Sequence, residues 1–101
     1  MANKWGIPDW LEKKVRGRDQ FCVYCHVKFK ERDPDDKASW EHIDNDGPPS
    51  EDNIALCCFA CNRDKRAKKL SEWFDSSYCK KKHINKRTVA NIVKKYIKMR
   101  K

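Results

Sequence analysis

The sequence lacks any apolar run that approaches the ~20 residues of a membrane-spanning helix. Its first ten residues, MANKWGIPDW, also lack the apolar core of a signal peptide. There is no internal repeat of useful length. These absences predict an intracellular, cytoplasmic protein that has no membrane partner.

Apolar residues are scarce relative to charged ones. The chain has 101 residues, of which 39% are charged, and its mean hydropathy is −1.03. A chain of this length has room for one domain and buries only a modest fraction of its surface on folding. The core is therefore expected to need help from a metal ion or a covalent cross-link, and six cysteines are available for this.

The net charge of +9 is spread unevenly. Residues 1–30 contain seven basic and three acidic residues, residues 31–53 two and nine, and residues 63–101 fifteen and three. Two basic arms thus flank an acidic middle. This pattern favours a polyanionic partner, and nucleic acid is the most common polyanion inside cells.

The first half of the chain is predicted to contain a helix and two extended segments. The helix runs from Asp9 to about Arg16, because Asp9 can cap the first free amides and Glu12 occupies the capping-box position. GRDQFCVYCHVKF is typical of a tight turn between short strands, and KERDPDDK of a solvated loop. ASWEHI is predicted to be a strand that ends at the turn-forming residues of DNDGPPSEDN.

The second half is predicted to be mainly helical. NIALCC leads into a helix near Cys61 to Lys69, and another helical segment surrounds LSEWF. In the last helix, apolar residues recur at steps of three and four and form one stripe opposite lysines. The stripe contains Val89, Ile92, Val93, Tyr96 and Ile97. Four tryptophans are expected to be core or near-core anchors, namely Trp5, Trp10, Trp40 and Trp73.

Two Cys-x-x-Cys motifs stand 32 residues apart, and they consist of Cys22, Cys25, Cys58 and Cys61. Four thiolates satisfy tetrahedral zinc and leave no open position, so we predict a structural zinc site. Cys57 is an alternative ligand to Cys58, but only Cys58 has the two-residue spacing to Cys61. Cys57 and Cys79 are then interpreted as small core residues.

Two other interpretations of the cysteines are less consistent with the sequence. Cys22-Val-Tyr-Cys25-His26 matches the pattern for covalent haem attachment, but that chemistry requires export and leaves the second motif unused. A thioredoxin-like redox pair would need a βαβ pattern, which is missing here. We therefore expect zinc and no haem.

The segments RDQFCVYC and EHIDNDGPPSEDNIALCCFACNRDK resemble the HNH endonucleases, which are ββα-metal nucleases. Family members similarly show a Cys-x-x-Cys, an acidic residue joined to His-Ile, a glycine-containing loop, an Asn before an apolar strand, and a second Cys-x-x-Cys followed by Asn. The resemblance covers roughly residues 8–75. It implies an α+β fold, a small zinc-stabilised ββα-metal domain with flanking helices. We expect a single domain over 1–101, with its core at about 8–75 and a basic helical extension at about 76–101.

The resemblance also implies roles for individual residues. His42 would be the general base, and Glu41 and Asn62 would bind the catalytic divalent ion. Asn53 is similar to the middle Asn of the family, whose side chain pins the loop between strand and helix. Asn62 stands where the family name has its final His, as in the H-N-N variants.

These roles agree with the chemistry of phosphodiester hydrolysis. A histidine can accept a proton from water near neutral pH, and general-base help contributes roughly 10²–10⁴-fold. Carboxylate and amide oxygens suit Mg²⁺ or Mn²⁺. Phosphate contacts are predicted for the residues that follow the second Cys-x-x-Cys, namely Arg63, Lys65 and Arg66.

The function expected from the resemblance is metal-dependent DNA cleavage by an HNH endonuclease, of the compact kind found in phages and restriction systems. One such motif holds one strand, so a monomer would nick DNA and a homodimer or a second bound copy would be needed for a double-strand break. The alternative is a non-catalytic zinc module that only binds nucleic acid through its basic arms.

Overall fold

A computed structural model describes residues 7–44, 47 and 50–99. These residues form a mixed domain in which helices surround a two-stranded antiparallel sheet. The elements are α1 (Asp9–Arg18), β1 (Ala38–His42), β2 (Ile54–Cys58), α2 (Phe59–Lys65), α3 (Leu70–Phe74), α4 (Ser77–Lys82) and α5 (Asn91–Met99). The predicted α+β class is confirmed, and β1, β2 and α2 follow one another in the ββα order. Within these ranges, no helix is long and apolar enough to cross a membrane.

Strand β2 lies between two apolar clusters. It pairs with β1 from Ala38 opposite Cys58 to His42 opposite Ile54, and every residue of β2 is buried. Side chains alternate between the two faces of a strand. Ile54 and Leu56 therefore pack with α1 on one face, whereas Ala55 and Cys57 pack into the larger cluster on the other.

The C-terminal end of α1 covers the outer edge of β2. A two-stranded sheet leaves unpaired backbone groups at its edges. Here the Asp19 carboxylate accepts a hydrogen bond from the Leu56 N–H at 3.1 Å, and the Arg18 guanidinium donates to the Ile54 carbonyl at 2.7 Å. Arg18 and Asp19 also pair with each other through two contacts of 2.8 Å. This pair fixes α1 to the strand.

Helix α1 and the first Cys-x-x-Cys differ in detail from the predictions. The N-cap position is Pro8 rather than Asp9, and it has no side-chain cap. The predicted strands around the cysteines reduce to one bridge between Phe21 and Lys28. The chain between them wraps around the sulfur atoms instead and places His26 at φ 65°.

The C-terminal segment packs onto the same core as the cysteine motifs. Cys79, Val89 and Val93 are buried in the larger cluster, and the Ala90 N–H donates to the Val23 carbonyl at 2.8 Å. The stripe predicted for the last helix is confirmed, although α5 begins only after Val89.

Two further predictions need correction. The helix predicted to reach Lys69 ends at Lys65, because Arg66 adopts φ 51°, which stops the helix. Among the tryptophans, Trp73 is fully buried but Trp10 is 62% exposed. Trp5 lies outside the described residues.

Candidate functional site

The two Cys-x-x-Cys motifs converge on a sulfur site. One motif lies on the turn after Phe21, and the other spans the junction of β2 and α2. The four sulfur atoms lie within 4.8 Å of one another, and they belong to Cys22, Cys25, Cys58 and Cys61. The Sγ atoms of Cys25 and Cys58 are 3.7 Å apart. A tetrahedral zinc ion with bonds of ~2.3 Å would separate its sulfur ligands by ~3.8 Å, so the site fits zinc.

Donors around the sulfur site favour negative sulfur atoms. The N–H groups of Tyr24 and Cys25 each point to Cys22 Sγ at 3.4 Å, and the Cys61 N–H points to Cys58 Sγ at 3.4 Å. The Tyr78 hydroxyl donates to Cys61 Sγ at 3.3 Å. Such hydrogen bonds to metal-bound atoms orient the ligands and tune their charge.

The four thiols share protons unevenly when no cation is bound. Hydrogen bonds with Cys22 lower the pKa of Cys25 and of Cys58. The hydrogen bond with Cys25 raises the pKa of Cys22. The hydrogen bond with Cys22 raises the pKa of Cys61. All four can ionise together only if a cation neutralises them, which is what a structural zinc ion does.

The cysteines outside the sulfur site are buried in the core. Cys57 and Cys79 have no exposed surface, as expected for small core residues. Burial raises the pKa of Cys57, which therefore stays a neutral thiol. The neighbouring residue, Cys58, is the one that joins the sulfur site.

A second cluster, the oxygen site, lies where α2 crosses β1. It contains the carboxylate of Glu41 and the amide of Asn62, together with the contacting groups of Tyr24 and Lys65. The Asn62 Nδ2 donates to Ser39 Oγ at 2.5 Å and to the Trp40 carbonyl at 3.2 Å. Because a carbonyl only accepts, the amide nitrogen must face Trp40. Asn62 Oδ1 then has no hydrogen-bond donor among the described residues and remains available to a hard cation.

Glu41 is held inside the protein by two groups. Only 3% of the residue is exposed. Its Oε2 accepts a hydrogen bond from the Tyr24 hydroxyl at 2.8 Å and lies 3.1 Å from Lys65 Nζ. Burial raises the pKa of Glu41, while the Lys65 charge and the Tyr24 hydrogen bond oppose this shift.

The structure gives Lys65 a different place from the predicted phosphate contact. Its side chain is fully buried, and its ammonium also donates to the His42 carbonyl at 3.4 Å. A surface contact with DNA is therefore excluded for Lys65. The sequence did contain a signal for this arrangement, since Lys65 stands three residues after Asn62 and thus on the same side of the helix.

Arg63 and Arg66 are exposed, as a phosphate contact requires. Arg63 pairs with Asp35 at 3.1 Å and lies over the Phe59 ring at 5.5 Å. An exposed pair of this kind is weak enough to exchange Asp35 for another anion. The DNA contacts of these two arginines stay predictions.

His42 is the last residue of β1 and is half-buried. Its ring forms no hydrogen bond with the part of the chain that the structure describes. Strand alternation directs His42 and Glu41 to opposite faces, so the two can serve one site only if the strand ends or twists there. The strand does end at His42. The role of His42 as the general base stays a prediction.

Asn53 fastens the loop that connects β1 to β2. Its side chain is buried, accepts a hydrogen bond from the Asp44 N–H at 2.7 Å and donates to the Asp44 carbonyl at 3.0 Å. The loop that Asn53 fastens therefore joins two strands. The prediction that Asn53 pins a loop between a strand and a helix is wrong in this respect. Gly47 lies against this side chain, because a Cβ at Gly47 would be 2.8 Å from Asn53 Nδ2.

Comparison with known families agrees with this geometry. The family model described as HNH endonuclease matches residues 22–68. This matched segment includes both Cys-x-x-Cys motifs, the β1–β2 hairpin and α2, and its four cysteines are positioned to bind a metal ion. No significant match was found among curated proteins or solved structures.

Proposed function

We propose that this protein is an endonuclease that hydrolyses DNA phosphodiester bonds with the help of a divalent metal ion. The contact between α2 and β1 supports the proposal most. At this contact the Asn62 amide donates a hydrogen bond to the Trp40 carbonyl. Trp40 directly precedes Glu41 in the chain and stands two residues before His42. This contact lies within the segment that matches the HNH family model.

The donors of the oxygen site fit a hard divalent ion in their chemistry. The Glu41 carboxylate and Asn62 Oδ1 are oxygen ligands of the type that Mg²⁺ and Mn²⁺ prefer. Such an ion supplies Lewis-acid stabilisation of the charge that develops on the phosphate. Tyr24 orients the carboxylate, and the Trp40 carbonyl fixes the amide so that its oxygen remains available.

The other site residues act on water and on the DNA backbone. His42 would take a proton from the attacking water at a ring nitrogen, because this ring is half-buried and has no hydrogen-bond partner within the described ranges. Asn53 would keep the loop that follows His42 in shape. Arg63 and Arg66 would contact phosphates, and the acid-free segment 76–101 would add nonspecific backbone contacts.

We also propose a setting in which the protein works. Zinc at the sulfur site would stabilise the fold, and the protein would act inside the cell. One copy would cut one strand, so cleavage of both strands would require a homodimer or a second bound copy. A phage or restriction system would suit a nuclease of this size.

The test is the nicking of supercoiled plasmid by zinc-loaded protein in Mg²⁺ or Mn²⁺. We expect the wild type to nick the plasmid and His42→Asn to nick about 10²–10⁴-fold more slowly, with DNA binding retained. The matched control is His83→Asn, which should nick at the wild-type rate. His83 is exposed and has φ 59°, a conformation that Asn tolerates. Undiminished nicking by His42→Asn would exclude His42 as the base.

The second candidate function is a non-catalytic module that only binds nucleic acid. One observation favours it, because the protein itself already supplies a cation to Glu41 in the form of Lys65. It predicts DNA binding by the wild type with no nicking in either metal ion.

A further inference from the structure

Lys65 supplies a cation to Glu41 from within the protein. The lysine side chain has no exposed surface, and its Nζ lies 3.1 Å from Glu41 Oε2. Removal of a carboxylate from water is costly unless an opposite charge is near. The ammonium therefore neutralises Glu41 in the metal-free protein.

The ammonium of Lys65 is held by two long contacts. An ammonium has three N–H donors, yet in the described ranges it finds two acceptors, Glu41 at 3.1 Å and the His42 carbonyl at 3.4 Å. Both distances exceed the ~2.7–2.9 Å of strong charge-assisted hydrogen bonds. The Tyr24 hydroxyl, at 2.8 Å, holds the same carboxylate oxygen independently. The lysine can therefore move away while Glu41 keeps its position.

A divalent ion and the ammonium would compete for the same region. Asn62 and Lys65 lie three residues apart on one side of α2, and both reach β1. An ion bound between Glu41 and Asn62 would thus lie beside the ammonium. Two cations at such short distance in a buried site repel each other strongly.

We propose that Lys65 is a built-in counter-ion, which a divalent ion must displace from Glu41, so that Lys65 sets the metal affinity of the oxygen site. This inference rests on the proposed function, because it takes Glu41 as a ligand of the catalytic ion. Lys65 is thereby a positioning residue and does not contact the substrate.

The first experiment measures Mn²⁺ binding by electron paramagnetic resonance in protein whose sulfur site is filled with zinc. Lys65→Met keeps the length of the buried side chain and removes its charge. We expect this variant to bind Mn²⁺ at least about tenfold more tightly than the wild type. The matched control is Lys68→Met. Because Lys68 is exposed, this substitution should leave the Mn²⁺ affinity unchanged. Unchanged or weaker binding by folded Lys65→Met would overturn the inference.

The second experiment uses the wild type, so it does not depend on the folding of a variant. Nuclear magnetic resonance would follow the Lys65 ammonium and the Glu41 carboxyl carbon while Mg²⁺ is added to zinc-loaded protein. We expect both signals to change together, whereas the Lys68 ammonium stays constant. A change at Glu41 with an unchanged Lys65 signal would overturn the counter-ion role and leave the proposed function intact. No change at either residue would overturn both, because Glu41 would then not bind the ion.

Discussion

The sulfur site and the oxygen site share helix α2, but the protein satisfies their charges in different ways. Four cysteines surround the sulfur site, and the groups that approach them are hydrogen-bond donors without charge. The oxygen site has one carboxylate, and the ammonium of Lys65 neutralises it. Four protein ligands complete a zinc ion and leave no place for a substrate. A site with fewer protein ligands leaves positions open.

The two sites are also mechanically connected. Tyr24 lies between Cys22 and Cys25, and its hydroxyl donates to Glu41 at 2.8 Å. Asn62 directly follows Cys61 in the middle of α2. Closure of the sulfur site therefore fixes one group that orients Glu41 and the backbone that presents Asn62. The sulfur site thus determines the geometry, whereas in our proposal the oxygen site exchanges the Lys65 ammonium for a divalent ion.

The largest effect should follow removal of zinc. Structural zinc contributes about 10 kcal/mol in small zinc domains, so a chelator, or the change Cys58→Ser, should abolish the cooperative thermal transition seen by circular dichroism. Because thiols must lose protons to bind zinc, the zinc affinity should rise with pH.

The control for this prediction is Cys79→Ala. Cys79 is equally buried but lies outside the sulfur site, so its loss should lower the transition temperature by only a few degrees. If Cys58→Ser and Cys79→Ala melt alike in the presence of zinc, then the sulfur site does not hold the fold together.

An intermediate effect is expected in the loop that leads away from the oxygen site. Asn53→Ala leaves the N–H and carbonyl of Asp44 without their side-chain partner, and each such loss costs about 1–3 kcal/mol. Urea denaturation of the zinc-loaded protein would measure this loss in the free energy of unfolding. Asn91 is exposed, and Asn91→Ala should change the free energy of unfolding by less than about 0.5 kcal/mol. Equal midpoints for the two variants would show that Asn53 does not fasten the loop.

The smallest effect should come from a pair of glycine substitutions with opposite signs. Gly47→Ala would place a Cβ 2.8 Å from Asn53 Nδ2, and overpacking of this kind costs about 1–3 kcal/mol. Gly17 lies in α1 with no atom within 4 Å of the added Cβ, so Gly17→Ala should stabilise the helix by about 0.5–1 kcal/mol. The same urea titration compares them, and stabilisation by Gly47→Ala would contradict the close contact with Asn53.

Much of the sulfur site could be predicted from the sequence because its information is local. The spacing of each Cys-x-x-Cys already defines a turn with two sulfur atoms, and alternation or turn residues define β1 and its end. The bridge between Phe21 and Lys28 was harder to foresee. A β pattern predicted strands there, but the wrapping of residues 22–26 around the sulfur atoms prevailed over strand pairing.

The oxygen site depends on tertiary contacts, and its local sequence signal is limited to the three-residue step from Asn62 to Lys65. Lys65 belongs to a basic run, and most lysines in such runs are solvated. Lys65 is buried because it lies on the side of α2 that faces β1. The contact of Asn62 with the Trp40 carbonyl determines which side of α2 this is. The role of Tyr24 was likewise hidden, because its partner Glu41 is 17 residues away.

The most direct test of the connection between the two sites is a crystal structure of the protein grown with both zinc and manganese, with each ion identified by its anomalous signal. We expect zinc among the four sulfur atoms at ~2.3 Å. Manganese should lie at about 2 Å from oxygens of Glu41 and Asn62, with the Lys65 ammonium moved away and the His42 ring open to solvent. Manganese bound elsewhere, with Lys65 still paired to Glu41 in the zinc-loaded protein, would contradict this account.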